Sequence, residues 1–427
     1  MTSVEKLSGI RLKNYLEFRK NPLVFLSETR NIADFVELGA SSFVVHHPGA
    51  MKEILVSKAS SFEKGSSASI LSKTIGRGIL TSEGETHNRQ RKMTMPAFHK
   101  EKLAGYMKVI QSETLKLIDS WKGGETLCVS NEMMKLTLCI ILKTMFGKDI
   151  SEPESDELAQ AVSDIIEKSA GDLFLPFPVP GFIPTPRNHR YHAGKEKLLA
   201  LTDELIAHTP KGDHLLHLLQ TTTLSNGSPL SKEEIRSQIL TMLIAGHETT
   251  ANVLSWMWYE LASQPEVEER LVEEWHNTKE GVKNQTMTGQ FLKETLRLYP
   301  AAWVLLREAP EPVYLKGHYF KKGASFLLSP YLMHRNPAFF KNPDVFDVNR
   351  FSTENAKKLT SFAYLPFGTG PRSCIGSQFA MNEAQLIFSL IGRAVHFEML
   401  ENHHPIQAEP LVSLRIQNGL YMRMHKR

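Results

Sequence analysis

The stretch Phe367-Gly368-Thr369-Gly370-Pro371-Arg372-Ser373-Cys374-Ile375-Gly376 holds one cysteine in a glycine-bracketed loop that leads into an amphipathic helix. Gly370 and Gly376 let the backbone turn tightly and come close to a flat cofactor, where a Cβ would collide. With Cys374 at the start of the helix, the positive end of the macrodipole and the unpaired N–H groups favour a thiolate over a thiol. Such a thiolate suits an axial position on haem iron, where it pushes electron density onto the metal and favours O–O cleavage. An isolated cysteine is most often an inert buried thiol. The phenylalanine, arginine and glycines at fixed offsets around Cys374 have no place in that bland reading.

A second constellation, Ala245-Gly246-His247-Glu248-Thr249-Thr250, falls in the middle of a long apolar helix spanning 231–262. Ser231 and Glu234 read as its capping box. Glycine, an acid and β-branched hydroxyl residues each weaken a helix interior by a few tenths to about 1 kcal/mol. A widened turn that admits dioxygen and water is the expected reason for them. His247 reads as a helix-face residue without catalytic duty, and a zinc-protease helix would need a second histidine where Ala251 stands. A third set, Glu294-Thr295-Leu296-Arg297, puts an acid and an arginine on one helix face that Pro300 soon ends. Alone it is weak, since such pairs are usually solvated and worth under about 1 kcal/mol.

With these motifs in this order, the chain resembles the cytochrome P-450 superfamily over about residues 36–424. The cysteine loop reproduces that family's Phe-x-x-Gly-x-Arg-x-Cys-x-Gly signature without a departure, and 245–250 matches its oxygen-binding motif. The resemblance implies haem b held by Cys374, with Phe367, Gly368 and Gly376 beside it. It makes Thr249 the hydroxyl that meets dioxygen and Glu248, with ordered water, the proton relay. It joins Glu294, Arg297 and Arg350 in a structural triad behind the haem, although Val348 stands where the family usually has proline. His87 and Arg91 match a Trp/His-x-x-x-Arg element that, with Arg307 and Arg372, pairs the haem propionates. Arg89 and Lys92 are left facing solvent or a partner. Ile244 and Ala245 on the central helix, Ala301, Trp303 and Val304 after Pro300, and Leu414 in a C-terminal hairpin are expected to line an apolar substrate pocket. That lining favours a fatty acid, terpenoid or steroid.

The elements that must position these residues are mostly helical. Helix-period apolar residues recur over 101–121, 130–146, 156–168, 189–208, 231–262 and 289–298, while 35–45 reads as short strands ending in a turn at His47-Pro48-Gly49. In 173–184, Pro176, Pro178, Pro180 and Pro184 forbid regular structure. That segment is either a roof over the substrate channel or an apolar loop packed on its neighbours. The expected fold is mainly α with a small β region, an α+β cytochrome P-450 fold with haem between the long central helix and the helix after Cys374. No linker, charge block or repeat divides the 427 residues, so one domain, 1–427, is expected.

Composition narrows the function classes. Apolar residues make up 41% and charged residues 22%, ordinary globular values, and a net charge of +4 is too small to argue for nucleic acid. Cys128, Cys139 and Cys374 show no paired spacing, which points away from a disulfide framework and towards a reducing, cytoplasmic setting. The first residues carry frequent charges, so neither a signal peptide nor a membrane span is expected. The resemblance is to the soluble bacterial type, expected to be a monomer. It implies a haem-thiolate monooxygenase that puts one atom of dioxygen into a hydrophobic substrate. No flavin or iron–sulfur segment is evident, so a ferredoxin or flavodoxin and its NAD(P)H-dependent reductase are the expected electron donors. Basic residues near the cysteine face would suit an acidic partner. Peroxide-driven or rearranging relatives, and a non-catalytic haem-binding sensor, are the alternatives. Retention of Glu248 and Thr249 argues against the first two.

Overall fold

Strand pairing and helix packing sort the chain into two units, neither of them a contiguous stretch: Met1–Ser69 with Lys293–Cys374, and Ile70–Leu292 with Ile375–Arg427. The computed structural model describes residues 3–8, 11–174, 179–207, 212, 214–224, 227–277, 286–401 and 405–427.

The first unit is built on a five-stranded sheet, ordered Val4–Lys6, Phe35–Gly39, Ser42–Val45, Ser325–Leu328 and Leu305–Glu308. Val4–Lys6 runs parallel to Phe35–Gly39, which pairs antiparallel with Ser42–Val45; the latter is parallel to Ser325–Leu328, and Leu305–Glu308 closes the edge antiparallel. The tight turn at Ala40 and Ser41 takes φ of +49° and +60°. Aromatic side chains from these strands meet Phe320, from the strand His318–Phe320 of a separate two-stranded sheet, in one cluster, with ring centroids 5.1 Å apart for Phe35–Phe320, 4.9 Å for Phe43–Phe320 and 5.1 Å for Phe320–Phe326. Burial of each such ring contributes about 1.5–3 kcal/mol, which fixes the sheet that carries Arg307.

Helices make up most of the second unit. Lys232–Ala262 is its longest, 31 residues and so about 46 Å, and the Ser231/Glu234 capping box is present in both directions. It packs along Val129–Phe146. Its side chains are buried on nearly every face, which overrides the weak helix propensity of its middle. The expected widened turn is absent: 232–262 is α-helical throughout. Gly246 has a different reason, because a Cβ there would sit 2.8 Å from Ile141 Cδ1. Glycine lets the two helices approach, and the Thr137 hydroxyl uses the closeness to donate to the His247 carbonyl at 3.0 Å.

Other boundaries shift modestly. The helix expected at 156–168 spans Glu152–Phe174, so Leu173 and Phe174 are helical and only later residues of the proline-rich segment leave the helix. Residues 175–178 of that segment, and His208 at the end of another expected helix, lie outside the described residues. Beyond them Asn188 Nδ2 donates to the carbonyls of Pro180 and Ile183 at 2.9 and 2.8 Å, tying the turn to the next helix, while Phe182 remains 87% exposed. Among the described residues, no helix is long and apolar enough to cross a membrane.

Candidate active site

In the first unit the cysteine loop is fixed by its own backbone. Gly368 and Gly370 take φ of +65° and +74°. A Cβ on Gly370 would lie 2.0 Å from the Leu55 carbonyl oxygen, so no other residue fits that position. A short 3₁₀ turn, Gly370–Arg372, follows, and Cys374 N–H donates to the Phe367 carbonyl at 2.9 Å to close the loop. The Cys374 thiol is exposed. Cys128 and Cys139 are half-buried, and burial pushes both thiols up, which keeps them protonated and inert. Gly376, two residues after Cys374, is the N-cap of the helix Ser377–Ala394. An exposed, soft sulfur donor on a rigid loop fits haem iron, and Cys374 is the residue that would hold it.

The same unit brings Glu294, Arg297 and Arg350 together. Glu294 accepts from Arg297 Nε and Nη2 at 2.9 and 2.7 Å and from Arg350 Nε at 3.1 Å, all with side chains 10% exposed or less. The Asp347 amide donates to Glu294 Oε1 at 2.9 Å. Arg297 also donates to the carbonyls of His334 and Val345 at 2.9 and 3.1 Å, and Arg350 to that of Lys341 at 2.7 Å. Val348, where proline was expected, begins a 3₁₀ turn that the Asp347 side chain caps, so the turn forms without the ring. Sequence reasoning missed His334, a buried strut in this network. Its Nδ1 meets the Arg297 carbonyl at 3.1 Å and its Nε2 accepts the Leu365 amide at 2.8 Å, just ahead of the cysteine loop. Burial pulls it down to about 3, so it is neutral, as this hydrogen-bond pattern requires.

In the second unit the central helix presents the acid and the alcohol. Ala245 is exposed and Thr249 half-exposed, one turn apart on a helix whose other faces are covered. Thr249 Oγ1 donates to the Ala245 carbonyl at 2.8 Å. Glu248 is 3% exposed; its Oε1 accepts from Ser413 Oγ at 2.7 Å and lies 3.5 Å from Asn252 Nδ2. Burial pushes its carboxyl up to about 7, against the opposing pull of the Ser413 hydroxyl, the Arg415 guanidinium and the Asn252 amide. A carboxyl poised there exchanges a proton near neutral pH. His247 is fully buried, its Nδ1 bonded to the Leu243 carbonyl at 2.7 Å, and burial lowers it to about 4. Asn252, one turn from Glu248, was within reach of sequence reasoning. Ser413 was not, since 165 residues separate it from Glu248.

The remaining expected residues divide. His87 (4% exposed) and the half-buried Arg91 share one face of the helix Gly84–Thr94 in the second unit; Arg307 (9% exposed), on the edge strand, and Arg372, in the loop turn, belong to the first. Arg89 keeps 38% of its side chain exposed and also pairs with Glu234 of the central helix at 2.6 Å. Lys92 is exposed. Of the expected pocket lining, Ala245 is open and Val304 half-open, and Ile244 and Ala301 keep 7% and 8% of their surface. Trp303 and Leu414 are both at 0%. With no exposed surface both side chains are packing residues, and the pocket role fails for them; their main-chain carbonyls accept the Ser329 hydroxyl and Trp256 Nε1. Leu411 and Val412, just before Leu414, are the half-exposed apolar residues of that hairpin.

Comparison with known proteins agrees with this geometry. The family model described as Cytochrome P450 matches residues 27–423. Cyclooctatin synthase and cyclooctat-9-en-7-ol 5-monooxygenase, both of Streptomyces melanosporofaciens, are each 32% identical, covering 87% of this chain and 84% of theirs. Pentalenene oxygenase of Streptomyces avermitilis is 28% identical over 87% of this chain and 85% of its own. Among solved structures, CYP175A1 from Thermus thermophillus superposes with a TM-score of 0.81 at 25% identity, covering 99% of this chain and 100% of the other. The chain belongs to the cytochrome P450 family and is a cytochrome P450 monooxygenase.

Proposed function

We propose that this monooxygenase oxidises a hydrophobic, terpenoid-like substrate, with electrons delivered by a separate ferredoxin or flavodoxin and its NAD(P)H-dependent reductase. The observation that carries the reading is the exposed Cys374 thiol, held on a loop whose geometry Gly370 alone permits. Haem bound there supplies activation of dioxygen, one atom going to substrate and the other to water. Cys374 holds the iron as a thiolate, and Phe367, Gly368 and Gly376 shape the backbone around it. His87, Arg91, Arg307 and Arg372 are the propionate partners, because buried carboxylates need cationic or hydrogen-bonding groups. Glu294, Arg297 and Arg350 hold the loop's surroundings and take no part in the chemistry.

Thr249 offers a hydroxyl on the open face of the central helix, and Glu248 holds and passes the proton the reaction consumes. Ala245 is open on the central helix and Val304 half-open in the first unit; these two, with Ile244 and Ala301, are the apolar residues assigned to the substrate, and their character suits a hydrocarbon-rich one. The named substrates of the Streptomyces relatives support the terpenoid class. We read 1–427 as one functional domain, since each unit is completed by a distant stretch of chain, working as a cytoplasmic monomer.

The absorption spectrum of the reduced protein under carbon monoxide, beside Cys374→His, tests the reading. A strongly red-shifted Soret band that the variant loses is expected. A protein without haem, or a band the variant leaves unchanged, would remove the basis for it.

A further inference from the structure

The carboxyl of Glu248 bonds across to the C-terminal hairpin, whose strands are Ala408–Pro410 and Leu414–Ile416. Ser413 ends the intervening turn, which is bonded to itself: the Leu411 amide donates to the carbonyls of Glu409 and Ser413 at 3.1 and 3.0 Å. Ser413 is 2% exposed and Asn252 3%. Asn252 Nδ2 donates to Ser413 Oγ at 2.7 Å, which leaves the Ser413 hydrogen one direction to point, the Glu248 oxygen 2.7 Å away. The backbone on either side is anchored too, through Trp256 Nε1 to the Leu414 carbonyl at 3.1 Å.

We propose that Ser413, seated by Asn252, is the positioning residue of the proton-transfer acid, holding Glu248 through Oε1 on the C-terminal hairpin. The inference rests on the reading of Glu248 as proton relay. A buried carboxylate with one strong neutral donor is stabilised by that donor more than an exposed one would be. The charged group acting on it is Arg415 on the adjoining strand. Arg415 is itself committed to Glu409 at 2.6 Å, Glu167 at 3.0 Å and Ser163 at 3.2 Å, so the hydroxyl of Ser413 makes the direct contact.

The test is infrared titration of the protonated carboxyl band in haem-loaded protein without reductant, with Glu248→Gln assigning the band. Assignment is needed because Glu383 is a second buried acid, pushed up to about 8. In Ser413→Ala the Glu248 transition is expected to move upward by about one pH unit, the size of one hydrogen bond to a charged group. Ser413→Thr should bring it back, and the pH profile of product formed per NADPH should move with the band in both variants. A band that stays in place in Ser413→Ala, or that Ser413→Thr fails to return, would overturn the inference. Unchanged coupling in Glu248→Gln while the Ser413→Ala band still moves would instead overturn the relay reading, so the two failures are separable.

Discussion

Glu294 and Glu248 are both buried glutamates on helices, and they are held in opposite ways. Glu294 sits among two guanidinium groups and an amide N–H, with its side chain at 0% exposure. Glu248 has a serine hydroxyl and a distant amide as its direct partners. The first arrangement engages the carboxyl group with donors on three residues and makes it a structural node. The second offers one close neutral hydroxyl, and burial pushes the carboxyl up to about 7, so its proton can exchange near neutral pH. What separates a structural acid from a working acid here is the charge of the partners, because depth of burial is nearly the same.

The largest effect should come from breaking the compensated site. Arg297→Ala leaves Glu294 with Arg350 and strands the carbonyls of His334 and Pro343 that Arg297 now serves, while the Val345 carbonyl keeps Arg350 Nη2 as donor. A loss of about 3–5 kcal/mol is expected, read as a lower urea midpoint and poor haem retention. A loss under about 1 kcal/mol would mean that the network is no more than a surface-grade pair.

Glu383 sharpens the comparison as an acid of the second kind placed away from the open helix face. It is 1% exposed, on the helix Ser377–Ala394, with Thr250 as hydrogen-bond partner and no partner at Oε2. Burial pushes it up to about 8 from 4.5. Between these two pH values the folded state keeps a proton that the unfolded chain has released, so stability falls as pH rises through that window. Glu383→Gln should match the parent at pH 4.5 and exceed it by on the order of 3 kcal/mol at pH 8. Parallel urea titrations of the two proteins would contradict this if the variant showed the same slope against pH.

Legibility in the sequence followed the range of the contact. The Ser231/Glu234 cap and the Glu294–Arg297 pair lie three residues apart, where helix geometry alone makes neighbours. Arg350, 56 residues from Glu294, came from motif order, and Ser413 came from nothing local. Trp303 and Leu414 were misplaced because apolar character marks both a pocket wall and a core, and exposure alone tells them apart. Gly246 was misread for a related cause: its signal is the Ile141 side chain on another helix, so an odd residue inside one helix was assigned to that helix's own shape.

Thr249 completes the comparison at its small end, as a working residue with almost no structural share. Its hydroxyl donates to the Ala245 carbonyl of its own helix, whose helical bond exists without it, and the side chain is half-exposed. Back-bonding of this kind does little for a helix, and alanine is the better helix former by a few tenths of a kcal/mol. Thr249→Ala should therefore shift the urea midpoint by less than about 0.5 kcal/mol, in the stabilising direction, with haem content unchanged. Its cost should appear in function, as electrons diverted from product to hydrogen peroxide when NADPH consumption, peroxide and product are measured together. Full coupling in that variant would show that the open hydroxyl is not used, and would leave Glu248 to reach its acceptor by another path.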